Sequence, residues 1–240
     1  MNTGEFKLMI EQTELLGGVY RPITNTIGFL ECRAETAAKA FFAWKDRTYS
    51  RDGRKLRMER RESASLEACL ASLLPLTSRP SRWVFIETQS SWCAYIENRW
   101  RGTDPTPIAP LAGDRLNSRG IRCTNIPAGE SPATILEVYR STWSELGNTE
   151  RSICAMKDGS SWTFDTFGDP FEFEQIHQYS ANRIRDRFTS KMLAQYLNQF
   201  GISPFDESFY LTPNCVFYIV DIDGPPLPNI KEYSLNEAVT

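Results

Sequence analysis

Hydrophobic and polar positions follow two different periods along this chain and divide it into short strands and amphipathic helices. Thr26 to Arg33 (TIGFLECR) is an apolar run with strand character. Glu35 to Trp44 follows with Ala37, Ala40, Phe41 and Trp44 at helical spacing and Thr36 as a cap. Ser65 caps a second helix, striped by Leu66, Leu70, Leu73 and Leu74 and stopped by Pro75. The clearest β signal is Trp83 to Ile86 and Trp92 to Ile96, two apolar runs joined by Thr88-Gln89-Ser90-Ser91, which predicts a buried hairpin. A short helix broken by prolines is expected within Asp104 to Leu116, then a strand at Ile121 to Ile126. Thr134 to Thr142, Ser152 to Lys157 and Ser161 to Phe167 predict a β-meander with a tight turn at Lys157 to Ser160. Thr189 caps a helix carrying Met192, Leu193, Tyr196, Leu197 and Phe200, which Gly201 ends, and Val216 to Val220 is a last strand. Phe171 to Arg187 fits neither period.

Helices and antiparallel hairpins mix here without a regular βαβ alternation, so the expected class is α+β: a mostly antiparallel sheet with three or four helices. Pro127 to Pro132 (PAGESP) is the best linker in the chain. It divides residues 1–126, a first α+β lobe, from residues 132–240, a β-meander plus helix lobe, unless both close into one compact domain. At 240 residues such a chain buries roughly 70% of its unfolded surface and needs no staple. The six cysteines are widely scattered, with no CxxC pair, and most lie in apolar stretches, as buried thiols do. The start, MNTGEFKLMIEQTELLGG, lacks the pattern of a secretory signal, and no apolar run has the length of a membrane span. The expectation is a cytoplasmic protein with no membrane partner, no cofactor and no bound metal, tolerant of chelators and reductants.

Charge and chemistry narrow the function further. A net charge of −3 provides no global basic field, which argues against nucleic acid. His177 is the sole histidine, so multi-histidine zinc sites are excluded, and neither GxSxG nor GxxxxGK[ST] occurs. Val216 to Gly224 (VFYIVDIDG) resembles the first motif of haloacid-dehalogenase-like phosphatases, which would make Asp221 a nucleophile and Asp223 an acid/base. The later lysine and second acidic motif of that family are not matched, and a solvated strand end explains the two acids more simply. Arg47 to Glu62 holds seven bases and three acids and predicts a solvated hairpin with its tip at Asp52-Gly53. Asp165, Asp169, Glu172 and Glu174 alternate with Phe167, Phe171 and Phe173, giving a solvated acidic face, a surface for a basic partner, or an oxygen-ligand metal site. Arg183, Arg185 and Arg187 could pair with these acids. Trp100, ahead of Gly102-Thr103-Asp104, is the candidate exposed recognition ring, with Asp104 beside it.

WCAYIENRWRGTD (Trp92 to Asp104), WTFDTFGDPFEFE (Trp162 to Glu174) and RDRFTSKMLAQYLNQFG (Arg185 to Gly201) resemble, in that order, a set of uncharacterised bacterial proteins. The resemblance implies a bacterial setting and no activity. Three function classes follow. The first is a non-enzymatic protein-binding module, such as a bacterial immunity protein that neutralises a basic toxin, with Asp165, Asp169, Glu172, Glu174, Trp100 and Asp104 as partner-binding residues and no catalytic ones. The second is an enzyme acting on a small polar or phosphorylated substrate through carboxylates and arginines, which requires a pocket converging on Asp165, Asp169 and Arg185. The third is a homo-oligomeric adaptor.

Overall fold

Nine strands pair side by side into one antiparallel sheet in the computed structural model, which describes residues 13–145, 147–210, 215–223 and 229–238. In chain order the elements are β1 (Thr26–Leu30), α1 (Ala34–Arg51), β2 (Lys55–Ser63), α2 (Leu66–Ala71), β3 (Leu76–Thr77), β4 (Arg82–Glu87) and β5 (Cys93–Glu97). They continue as α3 (Ile108–Pro110, widening into a π-turn over Leu111–Leu116), β6 (Gly120–Ile126), β7 (Ala133–Ser144), β8 (Gly147–Asp158) and β9 (Ser161–Phe167). Last come α4 (Ser190–Gln199), β10 (Cys215–Asp223), β11 (Glu232–Tyr233) and α5 (Leu235–Ala238). The strand order is β2-β10-β4-β5-β1-β6-β7-β8-β9, and β3 pairs separately with β11. The class is the expected α+β, with five helices among the described residues where three or four were predicted.

Each face of the sheet buries its own core. On one, Leu30, Trp83, Phe85, Tyr95 and Val220 pack under Ala34, Ala37, Ala38 and Phe41 of α1 and under Ile108 and Leu111 of α3. On the other, Phe29, Val84, Ile86, Ala94, Ile96, Ile121, Leu136 and Ile153 meet Leu66 and Leu70 of α2 and Met192, Leu193, Tyr196 and Leu197 of α4. Cover on both sides is why β1 and β5 are buried at every position instead of alternating. Phe41 is the hub of the first core, with ring centroids 5.3 Å from Trp83, 5.4 Å from Phe85 and 5.9 Å from Tyr95.

Three local expectations change. Helix α1 runs to Arg51, because its apolar stripe continues to Tyr49, whose ring lies 6.1 Å from Trp83; Asp52-Gly53 is therefore a helix-to-strand turn and not a hairpin tip. The cap position of α1 is Arg33, which makes no side-chain capping bond, so Thr36 already lies inside the helix. Pro127 to Pro132 is the turn of the β6–β7 hairpin, with Ile126 opposite Ala133, so both halves of the chain contribute to one sheet. The sheet edge at β2 is charged: Arg57 forks onto Asp221 of β10 at 2.8 and 3.2 Å, and Arg61 binds Glu59 at 2.7 Å. Charge of this kind discourages edge-to-edge pairing. Among the described residues no helix is long and apolar enough to cross a membrane.

Candidate functional site

The acidic segment begins on β9, the other edge of the sheet, and then leaves it. Asp165 and Phe167 are two residues apart and so share one face of β9. Gly168 turns the chain sharply at φ +80°. The segment then wraps toward the α4 side, where Phe171 and Phe173 stack at 5.2 Å and meet Phe200 edge-on at 5.5 and 5.6 Å. The expected separation of acids and rings onto opposite sides of a strand is therefore not formed: Asp165 and Phe167 lie on the same face, and the strand stops before Gly168.

Glu174 separates from the other three acids. Its side chain is fully buried, and Arg151 of β8, 3% exposed, donates Nε to Oε1 at 2.8 Å and Nη2 to Oε2 at 2.7 Å. The Tyr179 hydroxyl donates to Oε2 at 2.8 Å and the Phe171 N–H to Oε1 at 3.0 Å. Arg151 Nη1 in turn donates to the carbonyls of Phe167 and Gly168 at 3.1 and 2.7 Å, which fixes the bend. Burial opposes the charge on Arg151, but Glu174 holds its pKa above the usual value. Burial, with Tyr196 and Glu174 beside it, also pushes the Tyr179 hydroxyl up. This centre is structural.

Asp165, Asp169 and Glu172 are exposed, and none takes part in an ion pair among the described residues. Two large apolar side chains stand out in the same stretch, Phe167 at 51% exposure and Ile176 at 53%. Arg183, Arg185 and Arg187 do not answer the acids: Arg185 lies 3.8 Å from Asp186, and Arg187 donates to the Ala181 carbonyl at 3.0 Å. A groove of about 390 Å³ near the start of α4 is lined by Lys157, Trp162, Arg185, Asp186, Thr189 and Ser190, among others. Asp165 and Asp169 are not among its lining residues, so the pocket required by the carboxylate–arginine enzyme is not formed there.

Trp100 and Asp104 belong to a different place, beyond the end of β5 and five strand positions from β9. Trp100 is half-buried and stacks on Tyr233 at 4.9 Å. Asp104 adjoins a buried carboxyl that the sequence reading passed over. Glu97 is 2% exposed; its Oε2 accepts from the Trp83 indole at 3.0 Å and the Tyr95 hydroxyl at 2.8 Å, and its Oε1 accepts from the Asp104 N–H at 3.0 Å. Burial pushes Glu97 up to about 7, against these donors and helped by the Asp104 charge. Burial would raise Asp104 as well, but the Thr106 hydroxyl and N–H and Arg99 hold it below the usual carboxylate range. Lys45 of α1 lies 4.3 Å from the Trp44 ring centroid, and burial draws its ammonium down. With all its donors supplied by the fold, Glu97 latches the loop after β5 to the sheet. Neighbouring Asn98 does the same for residues 75–82, accepting from the Ser81 and Arg82 N–H groups at 2.9 and 3.0 Å and donating to the Pro75 carbonyl at 3.1 Å.

His177 is exposed, and Asp221 is engaged by Arg57 within a strand flanked by antiparallel neighbours. Among the described residues no three His, Cys, Asp or Glu side chains gather at one point. No protein-family model, curated protein or solved structure matches this chain.

Proposed function

We propose that this chain is a protein-binding module that engages a basic partner through the segment wrapping off β9. The observation that carries this reading is the set of three exposed carboxylates without ion pairs among the described residues, Asp165, Asp169 and Glu172, with exposed Phe167 and Ile176 in the same stretch. Apolar anchors supply contact area, and unpaired charges steer an oppositely charged protein and set its orientation. The segment is held to the sheet by the Arg151–Glu174 pair, so little ordering cost attends binding. In its most specific form the partner is a basic toxin that the chain neutralises in a bacterial cytoplasm. Trp100 and Asp104 fall outside this surface.

The test compares wild type with Asp165→Asn/Asp169→Asn/Glu172→Gln and with Phe167→Ala. Partners are captured from native lysate, identified, and their association measured at two salt concentrations. The expected partner is basic; the triple variant associates about tenfold more slowly at low salt, and the difference shrinks at high salt. Phe167→Ala dissociates faster at unchanged association rate. Equal kinetics for all three proteins, or a stable homo-oligomer with no second protein, overturns the proposal. Rescue of cells expressing the captured protein distinguishes neutralisation from simple binding.

A further inference from the structure

Scattered spacing in the sequence gives no cysteine pairs, yet the fold makes two. Cys32 and Cys93 adjoin on the α1 side of the sheet, each thiol shifting the other, and Cys69 and Cys215 do the same in the opposite core. The first arises because Cys93 pairs with Leu30 across β5 and β1, and a tight turn (Cys32 N–H to the Leu30 carbonyl, 2.8 Å) folds Cys32 back beside it. The two pairs differ in access. Cys69 and Cys215 are both fully buried, whereas Cys32 is half-exposed over a buried Cys93.

Cys32 also sits at the start of α1, an 18-residue helix whose cap residue, Arg33, leaves the first-turn N–H groups without a side-chain acceptor. The helix dipole and free N–H groups favour a thiolate there. The adjoining Cys93 thiol is the main reason Cys32 lies below the ordinary thiol value, against burial and the charge of Glu87. Cys93 is driven far up, first by Cys32 and then by burial. An accessible, activated sulfur over a protected second thiol is the arrangement that thiol–disulfide exchange needs.

We propose that Cys32 and Cys93 form a redox-active dithiol that exchanges with an external disulfide, Cys32 attacking and Cys93 resolving. The Cys32 thiolate attacks one sulfur of a disulfide RSSR, the S–S bond breaks, and one RS⁻ leaves and takes up the proton Cys32 gave up. Cys93 then loses its proton and attacks the Cys32 sulfur of the mixed disulfide, expelling the second RS⁻, which takes that proton. The balance is two protein thiols plus RSSR to one protein disulfide plus two RSH, with the external disulfide as the oxidant.

The test uses the full reduced chain and oxidised glutathione, followed by acid quench, alkylation and peptide mapping. The expected product in wild type is a peptide linking Cys32 to Cys93, with Cys69 and Cys215 recovered as alkylated thiols after unfolding. Cys93→Ala accumulates glutathione on Cys32, and Cys32→Ser slows glutathione consumption at least about tenfold. The Cys32 reaction rate in Cys93→Ser rises with pH along a profile whose midpoint lies above that in wild type, because the thiol that lowers Cys32 has been removed. The proposal is overturned if wild type keeps Cys32 and Cys93 as thiols, if a Cys69–Cys215 link forms in preference, or if Cys32→Ser reacts as fast as wild type. The wild-type map decides the matter even if Cys93→Ala does not fold.

Discussion

Taking a carboxylate out of water is costly, and this chain does it at two glutamates with opposite results. Glu174 keeps a charged partner, because the Arg151 guanidinium meets both of its oxygens. Glu97 receives only neutral donors and holds its proton up to about 7. Glu174→Gln leaves the Arg151 charge buried without its partner, and the expected cost is about 2–5 kcal/mol in denaturant unfolding. Asp165→Asn/Asp169→Asn/Glu172→Gln, measured beside it, leaves the unfolding midpoint unchanged. For Glu97 the sign is fixed by which state binds the proton. Between the ordinary carboxylate value and about 7 the folded chain holds a proton that the unfolded chain has released, so stability falls as pH rises through that window and is flat above it. The expected loss is about 3 kcal/mol, and Glu97→Gln abolishes that slope in unfolding curves taken from pH 4.5 to 8. Both buried groups left a trace in the sequence. Glu97 stands two residues from Tyr95 and four from Cys93 on one side of a buried strand, and Arg151 stands two before Ile153. Only the pairing of Arg151 with Glu174 left none, because the two meet only after the chain has bent at Gly168.

At the scale of elements, period alone makes visible those that bury a regular stripe. The Ser65 and Thr189 caps are as expected, accepting from the Ala68 and Met192 N–H groups at 3.1 and 3.3 Å, and the three strands of the meander pair in order. Residues 171–187 have no period because individual side chains hold them: the Gln175 N–H donates to the Tyr196 hydroxyl at 2.6 Å, and the Gln178 side chain reaches the Asp186 carbonyl at 3.4 Å. The hinge of that region is Gly168. A Cβ there would sit 2.1 Å from the Glu150 carbonyl oxygen at a φ of +80°, so neither the space nor the backbone admits a side chain. Gly168→Ala is expected to cost well over about 1 kcal/mol. Faster amide exchange across residues 168–180, with β4 and β5 unchanged, would place the damage in the wrapping segment; uniform exchange over the whole sheet would contradict it.

For the whole molecule the decisive feature is where β10 lands. It follows every other strand of the nine-stranded sheet in the chain yet lies between β2 and β4, pairing with β2 from Cys215↔Ser63 to Asp223↔Lys55 and with β4 from Phe217↔Ile86 to Asp221↔Arg82. Without it β2 has no neighbour in the sheet, and β4 loses its hydrogen-bonding partner on its outer edge. Composition around Pro127 to Pro132 looks like a boundary, because Pro, Gly and Ser mark turns and linkers alike; only the long-range pairing of β10 tells the two apart. The expected behaviour is one cooperative unfolding transition, coincident for tryptophan fluorescence, which samples all six tryptophans in both halves of the chain, and for far-ultraviolet dichroism, which samples the whole backbone. Residues 1–126 and 132–240 expressed separately should each show an unfolded amide-exchange pattern and should regain native dichroism only when mixed. Two transitions in the intact chain, or a protected sheet in either fragment alone, would mean that β10 docks onto a half that is already stable.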